Sequence, residues 1–331
     1  AATMRASAPR RERKVDLVMS RSDHLLRRIL LTGLCSLLLL TACTPAPTPP
    51  SPSTAPALPN VLAVETFLAD MAQQVAGTRL TVRALMPIGV DPHSFEPAPT
   101  DIVQVSASTV LIVNGAGVEG FLNRLLQNAG GQRLVIEAAA GLSSRPSAPA
   151  PSGQAEKDPH FWLDPVLAIR YVENIRDGPS QADPAGAALY AANAAAYSAR
   201  LRELDAWIRE QVNQVPAARR LLVTNHESLG YFADRYGFQV IGAIIPSVST
   251  DAAPSAQQLA ALIDQIKATG ARAVFLETGA NPQLAEQIAT ETGVQVVTGL
   301  LTHSVNAAGA EGATYIEMMK YNTRAIVAAL K

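Results

Sequence analysis

At 331 residues the chain can bury one large core or two ordinary ones, and its net charge of −1 leaves no basic footprint for nucleic acid. Charged residues make up only 17% of it and alanine is abundant, which suits an α/β protein. Its two cysteines form no CxxC pair, which excludes thiolate zinc sites and thioredoxin-like redox chemistry.

Arg27 and Arg28 precede an apolar run, residues 29–40, that ends in Leu40-Thr41-Ala42-Cys43. A basic segment, about a dozen apolar residues and a small-residue site make a secretory signal, too short for the roughly 20 residues that span a bilayer. LTAC resembles the bacterial lipoprotein box, so Cys43 is expected to carry lipid and anchor the protein outside the cytoplasm. Met19 is the more natural start, with the residues before it an upstream segment. Cys35 and His24 fall within the signal and are given no role. Residues 43–59 then form a tether, whose run of Pro, Ser and Thr cannot build a core.

From residue 60 the pattern alternates strand and helix. Strands are expected at 60–64, 80–86, 110–114 and 134–137, and helices at 67–77, 101–106 and 118–128. This order argues for a parallel sheet with helices on both faces, where ligands bind beyond the carboxyl ends of the strands. His93 lies there, in the turn Ile88 to Pro97, just past the second strand. Residues 141–157 read as a Pro/Ser/Ala-rich loop without histidine, ending at Asp158-Pro159-His160. Asp-Pro-His thus occurs twice, at 91–93 and 158–160, in a chain with five histidines.

Asp183-Pro184 reads as a helix start, with a capping carboxylate and proline in the first turn. Tyr197, Leu201, Leu204, Ile208 and Val212 recur at helical spacing up to the stop at Pro216. A helix over 183–215 is long for an α/β domain and suits a rigid connection between a lobe at 60–182 and another at 216–331. The second lobe repeats the first: strands at 220–225, 239–245, 273–276 and 295–298, and helices at 229–236, 254–269, 282–292 and 314–330. Its strand ends carry His226, Glu277 and His303.

Two histidines from each lobe, His93 and His160 with His226 and His303, are expected to converge on one transition-metal ion. Neutral imidazole suits zinc and several other transition metals, whereas magnesium and calcium prefer all-oxygen shells. Four imidazoles would make a closed tetrahedral cage, unlike catalytic zinc sites, which keep an open position. No HExxH, GxSxG or phosphate-binding glycine loop is present, so a zinc hydrolase is disfavoured. Glu277 is read as orienting an imidazole, with ligation as its alternative. The competing reading is four unrelated loop histidines.

The stretches NVLAVETFLADMAQQVAG, GVDPHSFEPAPTD, DPHFWLDP, DPAGAALYAANAAAYSARLRELD, LLVTNHESLGYFADRYGF, FLET and GATYIEMMKYN together resemble the zinc- and manganese-binding lipoprotein receptors of bacterial ABC importers, the cluster A-I (cluster 9) solute-binding proteins. The resemblance covers nearly all of residues 60–330. It implies two α/β lobes, each a mostly parallel sheet, joined by one long rigid helix with the metal between them. It further implies a monomeric, non-catalytic receptor handing metal to a permease and its ATPase. His93, His160 and His226 fall on the family's first three ligand positions. His303 stands where relatives usually carry an acid, commonly aspartate. That exchange argues for Zn²⁺ over Mn²⁺ or iron, and leaves His303, Glu277 or water to complete the shell. A surface adhesin with structural metal is the remaining alternative.

Overall fold

The computed structural model describes residues 57–149 and 155–331. The expected signal peptide, Cys43 and most of the tether lie outside the described residues. Among those described, no helix is long and apolar enough to cross a membrane.

The first sheet contains β1 (Val61–Ala63), β2 (Val82–Ala84), β3 (Val110–Val113) and β4 (Leu134–Glu137), all parallel, in the order β2-β1-β3-β4. The second contains β7 (Leu221–His226), β8 (Gln239–Ile245), β9 (Ala273–Glu277) and β10 (Gln295–Leu300), in the order β10-β9-β7-β8. Each lobe therefore starts in its sheet's interior, places its second strand on one side, and then crosses to the other. The chain reverses its winding beside β1 and beside β7, and a crevice opens at such switch points.

The apolar runs are continuous because both sheet faces are covered. Val61, Ala63, Val110 and Ile112 enter a central core, whereas Leu62, Val64, Leu111 and Val113 face an outer one. The outer core is roofed by α2 (Pro99–Ala107) and α3 (Leu122–Ala129). In the second lobe Ala273 and Phe275 join the central core, while Val274 and Leu276 meet α7 (Ala256–Thr269) and α8 (Gln283–Thr292). Side chains alternating across each strand thus sort the residues into three cores.

The central core is continuous between the lobes, gathered by α1 (Thr66–Ala76), α4 (Ala168–Ala182), α5 (Ala187–Val212), α6 (Gly230–Tyr236) and α9 (Tyr315–Leu330). Helix α5 is the expected connecting helix, 26 residues and roughly 39 Å long at 1.5 Å per residue. Tyr197, Leu201, Leu204, Ile208 and Val212 all face inward. Its start differs from expectation. A 3-10 turn, Pro184–Gly186, precedes it, and Asp183 makes no side-chain cap. That carboxylate instead accepts hydrogen bonds from the Arg79 guanidinium and the Tyr190 hydroxyl, tying the end of α1 to the connecting helix. The helix ends at Val212, before Pro216 is reached.

Two further elements were not expected. Helix α4 fills residues to which the sequence assigns no element, and Pro179 lies inside it. Gly178 has a packing reason: a β-carbon there would overlap the Ile136 side chain of β4. Within the loop at 141–157, β5 (Pro146–Pro149) and β6 (Ala155–Lys157) form an antiparallel hairpin.

Leu201 is fully buried where α5 crosses the central core. Leu201→Ala is expected to lower the unfolding free energy by about 2–5 kcal/mol, read as a reduced midpoint in chemical denaturation.

Candidate metal centre

His93, His160, His226 and His303 come together between the lobes, each offering one ring nitrogen within 4.8 Å of the others. The Nε2 atoms of His93, His226 and His303 lie 3.3, 3.2 and 3.3 Å from that of His160. His160 and His226 are completely buried, His303 is nearly so, and His93 is half-buried. The fifth histidine, His24, lies outside the described residues.

The repeated Asp-Pro-His tripeptide is one local device used twice. Asp91 accepts the His93 backbone N–H through Oδ1 at 3.0 Å, and Asp158 accepts that of His160 at 3.0 Å. An aspartate bonding the backbone two residues ahead closes an Asx turn, and the intervening proline restricts it further. Asp158 also lies 2.9 Å from His160 Nδ1. From the second lobe, His226 is the last residue of β7 and Glu277 the last of β9, so strand ends deliver both. Glu277 Oε1 is 2.5 Å from His226 Nδ1, and its Oε2 is 3.4 Å from His303 Nδ1. A carboxylate that accepts the Nδ1 proton leaves the Nε2 lone pair directed inward, which is how proteins orient metal-binding imidazoles.

The electrostatics follow from burial and crowding. Burial, then the neighbouring His303 and His226 rings, pushes His93 down to about 3. His160 is held well below the usual imidazole range for the same reasons. His226 moves the other way: burial lowers it, but the Glu277 carboxylate raises it above the ordinary value. Glu277 is held well below the usual carboxylate range, because the two imidazoles outweigh the burial that would favour its neutral form. Burial lifts Asp158 to about 6, against the opposing pull of the His160 N–H and Arg145.

Beside the cluster lies a cleft of about 630 Å³, bordered by Asp91, Thr250, Glu277, Thr278, Asn281 and His303. The turn before His93 fastens it. Gly89 N–H donates to Ser304 Oγ at 2.9 Å, and the Thr250 hydroxyl donates to Asp91 Oδ2 at 2.5 Å. Gly279, at φ 86°, would bring a β-carbon to 3.3 Å from the Gly89 carbonyl oxygen, so the backbones approach closely here. One first-lobe turn thus touches the loops after β8, β9 and β10. On the opposite side the Trp162 indole N–H donates to the Thr302 carbonyl at 2.6 Å, next to His303.

A family model described as zinc-uptake complex component A, periplasmic, matches residues 61–329. The chain belongs to this family. The manganese-binding lipoprotein MntA of Halalkalibacterium halodurans is 35% identical to it over 264 residues, spanning 80% of this chain and 86% of the relative. The periplasmic zinc-binding protein TroA of Treponema pallidum superposes with a TM-score of 0.76 at 27% identity, over 83% of this chain and 99% of TroA. A Mn-bound mutant of a periplasmic metal-binding protein from Candidatus Liberibacter asiaticus superposes at 0.74 and 25% identity, over 82% of this chain and 100% of that one. Members of the family are solute-binding components of metal uptake, not enzymes. The chain is therefore an extracytoplasmic receptor that binds a divalent metal and passes it to an ABC permease.

Sequence reasoning placed all four histidines and Glu277 at this centre. It overlooked what holds them: Asp91 and Asp158, whose repeat was the available signal, and Thr250 and Ser304, which carried none. Glu277→Gln removes the charge that serves two imidazoles. It is expected to lower divalent-metal affinity by about 10–100-fold, measured by calorimetric titration.

Proposed function

We propose that His93, His160, His226 and His303 each give Nε2 to one Zn²⁺ ion, with Glu277 orienting His226 and His303 rather than ligating. The observation that carries this reading is the spacing of the nitrogens. A zinc–nitrogen bond of about 2.0–2.1 Å puts neighbouring tetrahedral donors about 3.3 Å apart, and three of them lie 3.2–3.3 Å from His160 Nε2. An all-imidazole set also suits zinc better than manganese, which favours carboxylate, carbonyl and water.

Manganese is the second reading, and the comparisons weigh toward it. MntA is named for manganese and the Liberibacter protein holds that ion, although TroA and the family description are named for zinc. To add an oxygen ligand under this reading, the Glu277 carboxylate would have to leave His226 Nδ1, which lies across the ring from the inward-facing Nε2.

Competition on the apo protein separates the two. Native chain and His303→Asp are titrated with Zn²⁺ and Mn²⁺. Tight zinc, weak manganese and a narrowed gap in the aspartate variant are expected. Comparable native affinity for both ions would overturn the zinc assignment, and an inert substitution would remove His303 from the shell. The same titration carries a pH test. His93 and His160 are held well below the usual imidazole range, whereas Glu277 favours a proton on His226 that the metal must displace. Affinity is expected to fall as pH drops through the range just above the ordinary imidazole value of about 6.5. Equal affinity at pH 7.5 and 5.5 would contradict it.

We further assign the lipid anchor to Cys43 and the tether to residues 43–59, with lobes at 60–182 and 216–331 around the connecting helix. The partners are a membrane permease and its ATPase. Cys43→Ser is expected to move the protein from the membrane fraction to the soluble one, scored by immunoblot of fractionated cells.

A further inference from the structure

Two acids in the first lobe take no part in the metal centre as described. Glu65 follows β1, Glu119 follows β3, and β1 and β3 are neighbours, so both stand at the carboxyl edge of the first sheet. They are 1% and 6% exposed. Glu65 occupies the N-cap of α1 but makes no capping bond with its side chain. Neither of its carboxyl oxygens has a hydrogen-bond donor. Glu119 is differently placed: Oε1 accepts the Asn114 N–H at 2.5 Å and Oε2 the Gly115 N–H at 3.1 Å. The backbone donors give Glu119 what a carboxylate needs, and Glu65 has nothing comparable. No cation pairs with either acid among the described residues. The other titratable group they act on is the buried Tyr171 phenol of α4.

The consequence reaches His160. Asn114, held by Glu119, donates its side-chain amide to the Pro159 carbonyl at 3.4 Å and accepts from the Tyr171 hydroxyl at 2.6 Å. Pro159 is the residue before His160. A buried ionised acid without donors is costly, whereas a neutral one can donate to a carboxylate beside it.

We propose that Glu65 and Glu119 hold one proton between them, Glu65 neutral and Glu119 ionised, and together buttress the Asp158-Pro159-His160 turn as positioning residues for metal capture. Burial and then the Glu119 charge push Glu65 well above the usual carboxyl range, and burial raises Glu119 as well, so the pair favours keeping a proton; the backbone donors on Glu119 assign it to Glu65. The inference rests on His160 being a ligand, but its protonation half does not.

The test uses the full chain and two isosteric variants. Infrared difference spectra at pH 7.5, native minus Glu65→Gln, should show the carbonyl stretch of a neutral carboxylic acid, shifting in heavy water. Glu65→Gln, which mimics the neutral acid, should bind Zn²⁺ or Mn²⁺ within about twofold of native, whereas Glu119→Gln should lose about tenfold. The native apo protein should also lose stability relative to Glu65→Gln as pH rises from 5 to 8. Its fold retains a proton that the unfolded chain releases, so rising pH favours unfolding. Absence of the neutral-acid band overturns the proton assignment even if Glu119→Gln fails to fold. Equal losses of affinity in both variants, or none in either, overturn the buttress. An intact band without metal binding by the native chain would instead indict the metal assignment.

Discussion

Four imidazole rings crowded together, three of them buried, cannot all be charged. Protonating one raises the cost of protonating the next, and burial adds to that cost for each. The cluster is stable only with nearly all its rings neutral or with a cation at its centre, and the surrounding structure is arranged around that condition. Glu277 makes the single accommodation, stabilising a proton on His226 while also facing His303. His160 has the Asp158 carboxylate against its Nδ1, yet burial and the three neighbouring rings still hold it well below the usual imidazole range. His93 is lowered in the same way, by burial and then by His303 and His226. The ion thus enters a site already relieved of most of its protons.

The two lobes reach this centre by different local means. In the first, the histidines sit on turns beyond the sheet, closed by aspartates two residues earlier. In the second, β7 and β9 run straight into the site, so His226 and Glu277 inherit the rigidity of the ladder, with His226 opposite Ile245 on β8. His303 lies past β10 on a loop anchored by Ser304, Thr302 and Asn322. A site drawn from several strand ends is defined only when both sheets are formed. Cargo recognition and folding are therefore physically linked in this receptor.

The fold was largely legible because each strand is an apolar run and each run ends near a chemically distinctive residue. Val61 to Val64 and Val110 to Val113 could be read as buried strands, and the stripe from Tyr197 to Val212 as a connecting helix. Histidine is rare in this chain, which made its four placements conspicuous. What escaped notice had local signals that pointed elsewhere. Gly178-Pro179 spells a break, yet lies in the last turn of α4 because the close approach to Ile136 requires glycine. Asp183-Pro184 spells a cap, yet Arg79, far away in sequence, claims the carboxylate. Thr250 meets Asp91 only through tertiary structure, and the unpartnered state of Glu65 depends on the neighbours that folding brings or withholds. Such features belong to packing, and no local pattern encodes them.

The unbroken apolar interior beneath both sheets sets how the protein must let its cargo go. Swinging the lobes wide would expose that interior. Wetting only about 400 Å² of it would cost on the order of 10 kcal/mol at about 25 cal/mol per Å², comparable to the whole stability of an ordinary domain. Breaking the few hydrogen bonds around Gly89, Asp91, Thr250 and Ser304 costs far less, about 1 kcal/mol net for each. A docking permease therefore meets one easy route and one steep one. It would prise loose a buckle at the rim, freeing the His93 turn, while the hull beneath stays watertight.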